Sequence, residues 1–329
     1  MRSILSGEKG PKRDMVLLNS GAAFMTAGLC DTIGDGMAIA ADIIDGGKAL
    51  EKLDALVALT KQLADELDGS CAPTNKIVAR KKEEISQVLQ DGVVLPSSCQ
   101  EEDIAPPRGF REALLQHEGV SIIAEAKKAS PSKGLISSDF DIVAIAEHYE
   151  RCGAQAMSVL TDVDFFQGSL ENLVRARAAS CLPVLRKDFI VHEIQIEQSF
   201  KHGADAILLI AALLEEQQIR DYFQYAKEMG MDVIAEVHDE YEAEKCLRAE
   251  CDLIGINNRD LRDFTVDIQT TFRLARVIGH STPLVSESGL ASKNDIQMLQ
   301  KHGITAALVG EALMRAGTEG KQLAIFRDE

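Results

Sequence analysis

Residues 206–237, AILLIAALLEEQQIRDYFQYAKEMGMDVIAEV, carry the pattern that best indicates the fold. An apolar run, Ala206–Ile210, is followed by a polar loop and by a helix-like segment that ends at Gly230, and a second apolar run follows at Val233–Val237. Apolar runs of strand length that alternate with amphipathic helices are typical of βαβ units and a parallel sheet. This stretch therefore predicts two parallel strands joined by a crossover helix.

The same unit repeats along the chain from residue 121 onward. The eight apolar runs are Ile122–Ala124, Ala156–Leu160, Pro183–Leu185, Ala206–Ile210, Val233–Val237, Leu253–Ile256, Pro283–Val285 and Ala306–Val309. Eight even units predict an α/β fold closed into a (β/α)8 TIM barrel, and residues 71–329 match the roughly 250 residues that such a barrel needs. An open doubly wound sheet is the alternative. It is disfavoured because no G-x-G-x-x-G follows the first strand.

The 329-residue chain leaves an N-terminal surplus over one barrel. Residues 1–70 are predicted to be a helical extension, and the turn-forming sequence DGSCAP at 68–73 is the predicted linker. The helix-like stretches are Met15–Cys30, Asp35–Ile44 and Ala49–Leu67. We expect two domains, a helical segment at 1–70 and the barrel at 71–329. A mixed-charge helix at about 75–90 and an acidic, proline-containing loop at about 95–108 precede the first strand. Within that helix, the charge run Arg80–Glu84 is predicted to be a solvated face.

Composition and charge exclude several classes of protein. Hydrophobic residues make up 46% of the chain and charged residues 26%, which is ordinary for a globular protein. The 35 Lys and Arg residues stand against 52 Asp and Glu residues, a net charge of −17. Because such a surface repels phosphate backbones and anionic headgroups, we expect neither nucleic acid nor membrane as a partner. Clustered Lys and Arg residues are therefore informative, since they predict a local site for an anion.

The cysteines and the hydropathy of the chain indicate its cellular compartment, and the histidines indicate whether it binds a metal. The seven cysteines are scattered and contain no C-x-x-C, which suits a reducing cytosol. The seven histidines show no ligand spacing, so no metal is expected. No leader-like apolar core follows the first basic residues, and the apolar stretch Ala206–Leu214 is far below the roughly 20 residues that span a bilayer. The sequence therefore predicts a cytoplasmic protein.

Polar side chains follow the predicted strands where each strand ends, which is where parallel barrels carry their active sites. Glu125 and Lys127 are two residues apart and so lie on the same side of the first strand. A desolvated charge is costly unless it is paired or used, and such surroundings shift pKa values toward acid–base chemistry near neutral pH. One residue alone is better explained as a structural ion pair. The strand-end groups together predict an active site, and they are Glu125, Lys127, Ser130, Lys187, Glu236, Asn257, Arg259, Glu287, Ser288 and Glu311.

Small residues follow the last two predicted strands, at Ser288-Gly289 and at Gly310. Backbone N–H groups of the last two loops of a barrel commonly bind phosphate, and small residues allow the close approach. Glycine also marks ordinary turns, but its occurrence in both loops predicts a phosphate site there.

An ordered set of motifs from about Lys76 to the C-terminus resembles the indole-3-glycerol-phosphate synthase family. The motifs are IIAEAKKASPSKG at 122–134, SVLTDVDFFQGS at 158–169, VLRKDFI at 184–190, AEVH at 235–238, IGINNRDL at 254–261, VSESG at 285–289 and LVGEALM at 308–314. The resemblance implies a carboxy-lyase of tryptophan biosynthesis. Such an enzyme converts 1-(2-carboxyphenylamino)-1-deoxyribulose 5-phosphate to indole-3-glycerol phosphate by ring closure, decarboxylation and dehydration. It implies no cofactor and no metal.

The resemblance also implies roles for individual residues. Lys187 would be the general acid that protonates the carbonyl oxygen in ring closure, and Glu236 the general base in dehydration. Lys127 and Arg259 would hold the substrate carboxylate. Which of Lys127 and Lys187 delivers each proton stays open. The groups that would aid proton transfer and orientation are Glu125 and Asn257.

The remaining roles concern the two ends of the substrate. Phe189 would contact the aromatic ring, and the residues expected around the phosphate are Ser130, Ser288, Gly289, Gly310 and Glu311. Glu311 departs from the family, in which many members have a small residue at this position. Since a carboxylate cannot donate to a phosphate, only the backbone N–H of Glu311 is expected to contribute.

The surplus segment resembles a second family, the C-terminal end of anthranilate phosphoribosyltransferase. The likeness covers residues 1 to about 65, through ILSGEKGPKRDMVLLN at 4–19 and DGGKAL at 45–50. The G-T-G-G-D diphosphate loop of that family is absent, so we expect no phosphoribosyl transfer. The segment is interpreted as the tail of a fusion or split gene product, loosely folded or docked on a partner, and an internal start is equally compatible.

Two alternative functions compete with that of a synthase. A related phosphate-binding barrel, phosphoribosylanthranilate isomerase, is opposed by the combined set of Glu125, Lys127, Lys187, Glu236 and Asn257. In the other, residues 1–70 are a docking module that recruits the barrel, active or not, to transferase partners among the other enzymes of the tryptophan pathway.

Overall fold

The computed structural model describes residues 2–70, 72–95, 105–131, 134–137, 139–260, 265–279, 281–315 and 326. The chain divides into two compact units, Met1–Ala72 and Pro73–Glu329. Residues 96–104, which are much of the loop expected at about 95–108, lie outside the described residues.

The first unit is helical where it is described, as the sequence predicts. Its helices are α1 (Arg2–Leu5), α2 (Pro11–Thr26), α3 (Ile33–Asp45) and α4 (Lys48–Ser70). Arg13 joins α2 to the end of α3, with Nη1 and Nη2 donating to the two carboxylate oxygens of Asp45 at 2.6 and 2.8 Å. The helices α2 and α3 cross at Gly21, where an added Cβ would lie 2.7 Å from the carbonyl oxygen of Ile33. The glycine therefore permits the close approach of the two helices.

The predicted linker at 68–73 includes the boundary between the two units, but its predicted turn conformation is wrong, because most of it is helical. Helix α4 runs to Ser70 and the next helix, α5 (Ala72–Asp91), begins two residues later. Glycine is tolerated in the last turn of a helix, and Pro73 stands in the first turn of α5, where its missing N–H would have no partner in any case. Turn-forming residues thus end one helix and begin another. Cys71 lies outside the described residues.

The second unit is a closed parallel barrel of eight strands. The strands are β1 (Ser121–Ala126), β4 (Ala156–Leu160), β5 (Val184–Lys187), β6 (Ala206–Ile210), β7 (Asp232–Val237), β8 (Ile254–Asn257), β9 (Leu284–Glu287) and β10 (Ala306–Val309), and a hairpin of β2 (Ala129–Ser130) and β3 (Gly134–Leu135) follows β1. Closure occurs at β1, where Glu125 is opposite Ser158 on β4 and Ile123 is opposite Leu308 on β10. The predicted TIM barrel is confirmed, and the open doubly wound sheet is excluded because every barrel strand has two neighbours.

Helices cover the outside of the barrel and one end of it. The helices after α5 are α6 (Phe110–Leu115), α7 (Ile142–Arg151), α8 (Leu170–Ala179), α9 (Ile194–Lys201), α10 (Glu216–Glu228), α11 (Glu240–Arg248), α12 (Gln269–Ile278), α13 (Lys293–Lys301) and α14 (Glu311–Arg315). Asp239 caps α11, since its side chain accepts a hydrogen bond from the backbone N–H of Glu242 at 2.9 Å. No described helix has the length and apolar character needed to cross a membrane.

The core has an outer and an inner part. The outer part lies between the strands and the surrounding helices. The inner part fills the barrel, and Phe110 and Leu114 of α6 belong to it. The backbone N–H of Arg111 donates to Asp232 at the start of β7, at 2.8 Å, so α6 covers the end at which the strands begin. The opposite end, where the strands finish, is left for the site.

Candidate active site

Charged side chains lie inside the barrel directly above its inner core. Side chains two residues apart on a strand face the same way, so a polar residue two positions after an inner-core residue also points inward. The pairs are Ile123 and Glu125 on β1, Leu185 and Lys187 on β5, Ile234 and Glu236 on β7, and Val285 and Glu287 on β9. The three glutamates are buried, with 4% or less of each exposed. The strands thus concentrate charge where water is largely excluded.

Lys187 is the centre of this group. Its Nζ donates to Glu236 Oε2 at 2.9 Å and to Glu287 Oε2. Burial alone would lower the pKa of Lys187, but the carboxylates of Glu236 and Glu287 outweigh it and raise that pKa. The ammonium is therefore stable inside the barrel and can act as a proton donor.

The same cluster of charges disfavours the ionised form of Glu287. Burial and the nearby charges of Glu236 and Glu125 raise the pKa of Glu287 to about 7, although Lys187 acts against them. Its Oε1 is buried and has no hydrogen-bond partner among the described residues. Glu287 is therefore poised to exchange a proton near neutral pH.

Glu236 is held in its ionised form. Its Oε1 accepts a hydrogen bond from Asn257 Nδ2 at 3.2 Å and lies 3.4 Å from Nε2 of His238. Burial alone would raise the pKa of Glu236, but Lys187 and His238 outweigh burial and lower it. A carboxylate that stays ionised in a buried site suits the role of a base.

A second ion pair lies at the end of β1, where Lys127 Nζ contacts Glu125 Oε1. The Lys127 side chain is 20% exposed, so it faces the open end of the barrel. Gly310, after β10, adjoins this pair, since an added Cβ there would lie 3.0 Å from Cδ of Glu125. The absence of a side chain at residue 310 thus makes room for the Glu125 carboxylate.

The ends of β8 and β9 are joined through Asn257. Its Oδ1 accepts hydrogen bonds from Ser288 Oγ at 2.9 Å and from the backbone N–H of Arg259 at 3.1 Å. Ser288 and Gly289 both have left-handed backbones, with φ of 67° and 78°. This geometry is strained for serine, and backbone strain is common in functional loops.

The structure brings most of the predicted site residues to one end of the barrel. Lys187, Glu236, Asn257 and Ser288 are linked by direct hydrogen bonds, and Phe189 pairs with Phe166, with ring centroids 6.1 Å apart. The others occupy the same end of the barrel: Glu125, Lys127 and Ser130 at the end of β1 and in its loop, Arg259 after β8, Gly289 after β9, and Gly310 and Glu311 after β10.

Two residues of the buried cluster, Glu287 and His238, have no role assigned from the sequence. Glu287 stands at a strand end, and its spacing of two from the apolar Val285 indicates that it points inward. His238 stands two residues after Glu236, and the same alternation would have found it. What the sequence does not contain is the distance between side chains on different strands.

The prediction that Arg80–Glu84 is only a solvated face is wrong for Lys81. Its side chain is 3% exposed, and Nζ lies 2.9 Å from Asp162 Oδ2 and 3.0 Å from Asp188 Oδ1. The reason is that α5 covers the ends of β4 and β5, where Lys81 and Asp188 line a cavity of about 120 Å³. Asp188 follows Lys187 directly, so α5 is tied to the strand that carries the central lysine.

Within the described part of the chain, no three His, Cys, Asp or Glu side chains are arranged so that they could hold a metal ion.

The sequence is similar to one family over most of its length. The sequence model of the indole-3-glycerol phosphate synthase family matches residues 74–325. An indole-3-glycerol phosphate synthase of Desulfotalea psychrophila is 59% identical over 250 residues, which are 76% of this chain and 96% of that protein. The enzymes of the same name from Bacillus velezensis and Chlorobium luteolum are 45% and 49% identical, over 76% and 72% of this chain and 97% and 91% of their own lengths. Residues 1–73 lie outside the family match.

Proposed function

The chain belongs to the indole-3-glycerol phosphate synthase family, and we propose here which of its residues perform each step of the reaction. The enzyme is a carboxy-lyase of tryptophan biosynthesis. It converts 1-(2-carboxyphenylamino)-1-deoxyribulose 5-phosphate to indole-3-glycerol phosphate, with loss of CO2 and water. The observation that carries the assignment of roles is the buried contact between Lys187 and Glu236.

In the proposed ring closure, Lys187 is the general acid. Its ammonium donates a proton to the substrate carbonyl oxygen while the carbonyl carbon bonds to the aromatic carbon that bears the carboxylate. Entry of the carbonyl oxygen replaces one of the carboxylate contacts of Lys187, which lowers the pKa of the ammonium and makes it a better acid. Loss of CO2 then restores the aromatic ring.

In the proposed dehydration, Glu236 is the general base. Its ionised carboxylate takes a proton from the ring carbon that lies between the nitrogen and the hydroxyl-bearing carbon, and the electron pair of that C–H bond forms the new ring double bond. The hydroxyl group accepts a proton from a lysine ammonium of the site, Lys127 or Lys187, and leaves as water. The hydrogen bond from Asn257 and the contacts with Lys187 and His238 support this role, since they keep the carboxylate charged and oriented. Glu125 and Asn257 are proposed to assist proton transfer and orientation.

We propose that the anionic groups of the substrate bind at the rim. Lys127 and Arg259 would hold the carboxylate, and Phe189, paired with Phe166, would face the aromatic ring. The groups proposed for the phosphate are the backbone and hydroxyls of Ser130, Ser288, Gly289 and Gly310 and the backbone N–H of Glu311. In an acidic chain, such local donors are what an anionic substrate requires.

The central test replaces Lys187 with Met, which keeps the length of the side chain but cannot donate a proton. In an assay that follows the indole chromophore, kcat is expected to fall by roughly 10²–10⁴-fold, the range for loss of a general acid. Circular dichroism and thermal unfolding verify that the variant folds. Lys301→Met, at an exposed position on α13, is the matched control and is expected to retain normal turnover. Near-normal turnover of the Lys187→Met variant would overturn the role of Lys187.

For the first unit we propose a docking role, in line with its likeness to the C-terminal end of anthranilate phosphoribosyltransferase. The proposed partner is another enzyme of the tryptophan pathway, in a cytoplasmic setting. Support comes from Met15, Leu18 and Met25, which are 59%, 45% and 39% exposed and which lie on one face of α2 at spacings of three and seven residues. An exposed apolar stripe of this kind is typical of a protein contact.

A further inference from the structure

A buried histidine lies behind the proposed base. His238 follows β7 directly, and its side chain is 13% exposed. Nδ1 lies 3.0 Å from Glu242 Oε2, and Nε2 lies 3.4 Å from Glu236 Oε1. Nε2 is buried and has no hydrogen-bond partner among the described residues, so its contact with Glu236 is an ion pair. The imidazole thus stands between two carboxylates.

We propose that His238 is a positioning residue for the reaction: clamped by Glu242, the imidazolium fixes the Oε1 side of Glu236, so that Oε2 faces Lys187 and the substrate. The inference rests on the proposed role of Glu236 as a base. His238 does not itself exchange protons with the substrate in this proposal.

Glu242 holds the imidazole in a defined orientation. Besides its contact with Nδ1, Glu242 Oε2 accepts a hydrogen bond from the backbone N–H of His238 at 2.8 Å. Glu242 is itself fixed in the first turn of α11, because its backbone N–H donates to the capping residue Asp239. The clamp therefore consists of a strand end and a helix start that are bonded to each other.

The protonation state of His238 follows from its two neighbours. A neutral imidazole has one N–H and one lone pair, so one of its nitrogens would face a carboxylate oxygen without a proton. Only the imidazolium presents an N–H group to Glu236 and to Glu242 at the same time. Burial opposes this charge, but the hydrogen bonds and charges of the two glutamates outweigh it and raise the pKa of His238 to about 10.

The groups around His238 define what its removal would change. Glu236 faces it from β7 and Glu242 from α11, while Lys187 on β5 lies beyond Glu236 and Asn257 on β8 contacts the same oxygen, Oε1. Without His238, Glu236 would keep Lys187 and Asn257 but lose the cation at Oε1. The carboxylate would then be less firmly oriented and less firmly ionised.

The test compares His238→Met, which removes both donors, with His238→Gln, which keeps an amide donor for Glu236. His238→Met is expected to lower kcat by about tenfold or more while KM changes by less than about threefold, because the orientation of a base matters chiefly in the transition state. His238→Gln is expected to restore a large part of kcat. His302→Met, at an exposed histidine, is the control and should match the unmodified enzyme.

Glu242→Gln tests the clamp without altering the imidazole. With one carboxylate fewer, the pKa of His238 falls by about 1–3 units, and the loss of kcat on the alkaline side moves to lower pH by the same amount. In ¹⁵N NMR spectra, the His238 ring of the unmodified enzyme is expected to stay protonated from pH 6 to pH 8, on the acidic side of its pKa of about 10.

Several outcomes would overturn the proposal. These are a His238→Met variant with unchanged kcat, a His238→Gln variant no better than His238→Met, an unmoved alkaline limb in Glu242→Gln, or a neutral ring at pH 7. The NMR measurement needs no turnover and covers the case in which His238→Met does not fold. A Glu236→Gln variant with near-normal turnover would refute Glu236 as the base, whereas the NMR result tests the clamp separately.

Discussion

At the scale of single side chains, Lys187 faces more negative charge than it can neutralise alone. Lys187 contacts both Glu236 and Glu287, and Glu125 lies close enough to influence their charges. One ammonium between two carboxylates stabilises one of them fully and the other only in part. The pKa values separate accordingly, with Glu236 below its ordinary range and Glu287 raised to about 7. Pairs of titratable groups driven apart in this way are typical of acid–base sites.

The raised pKa of Glu287 predicts a pH dependence of stability. Between its ordinary value of 4.5 and about 7, the folded protein holds a proton that the unfolded chain has lost. This contribution to stability is complete below pH 4.5 and is lost as the pH rises through 7. Glu287→Gln cannot titrate, so the free energy of unfolding of the unmodified protein should fall relative to this variant by up to about 3 kcal/mol across that interval. Urea unfolding at several pH values measures the difference, and parallel curves would contradict it.

Gly310 predicts a purely steric effect on the same site. In Gly310→Ala, the new methyl group would collide with the Glu125 carboxylate and displace it from Lys127. A displacement of about 1 Å in such a site can cost on the order of 10² in rate, so kcat/KM is expected to fall by up to that factor. Gly34→Ala on α3 is the control, since its nearest neighbour atom lies 3.7 Å away. Equal activity of both variants would show that Glu125 can move without consequence.

The sequence predicts which residues enter the site better than it predicts their partners. Strand alternation and strand ends located Lys187 and Glu236, because both follow from local order along the chain. The contact of Lys187 with Glu287 could not be predicted, because it joins residues 100 positions apart across the barrel interior. The clamp on His238 depends in the same way on the start of α11.

At the scale of elements, α5 is tied to the barrel by buried charge. Lys81 contacts Asp162 after β4 and Asp188 after β5, and Arg80 Nε donates to Asp164 at 2.5 Å. Burial would lower the pKa of Lys81, but the two buried aspartates outweigh it and raise that pKa. The helix therefore holds the loop that carries Phe166 and the strand that carries Lys187.

This contact predicts a large loss of stability in Lys81→Met. The substitution leaves Asp162 and Asp188 buried without their cation, and breaking a buried ion pair costs about 3–5 kcal/mol. Lys82→Met is the matched control, since Lys82 is exposed on the same helix, and its effect should stay within about 0.5 kcal/mol. Urea denaturation followed by circular dichroism measures both variants. Similar effects of the two substitutions would contradict the structural role of Lys81.

The helix itself is predictable from the sequence, but its contacts are not. The mixed-charge pattern at 75–90 predicts α5, and a run of charges normally faces water. Lys81 is an exception because the aspartates that surround it lie about 80 and 107 positions further along the chain. Only the folded barrel brings them to the helix.

At the scale of the whole molecule, the two units predict a test by truncation. Every residue proposed for the site lies between Glu125 and Glu311, within the second unit. A chain that begins at Pro73 should therefore show the kcat and KM of the full chain within about twofold, an effect too small to reflect a lost site contact. Size-exclusion chromatography of both forms, alone and with pathway enzymes, tests docking. If the shortened chain lost most of its activity, the prediction that the second unit alone carries the active site would be wrong.

The architecture is predictable because it repeats. Eight apolar runs separated by helices specify a closed parallel sheet without knowledge of any single contact, and the family motifs lie at the strand ends. The role of the first unit could not be derived in the same way. Its helices follow from their amphipathic pattern, whereas a partner leaves no periodic signal in the sequence.

The distribution of charge over the barrel has a consequence for recombination between relatives. The first four strands supply Lys127 and Lys187, and the last four supply Glu236 and Glu287. A chimaera that joins the first half of one homologue to the second half of another would inherit its ammonium groups from one parent and these two counter-charges from the other. Its halves could close into a barrel and still fail as an enzyme. Whether such a chimaera is active would depend on whether Lys187 from one parent forms its ion pairs with Glu236 and Glu287 from the other.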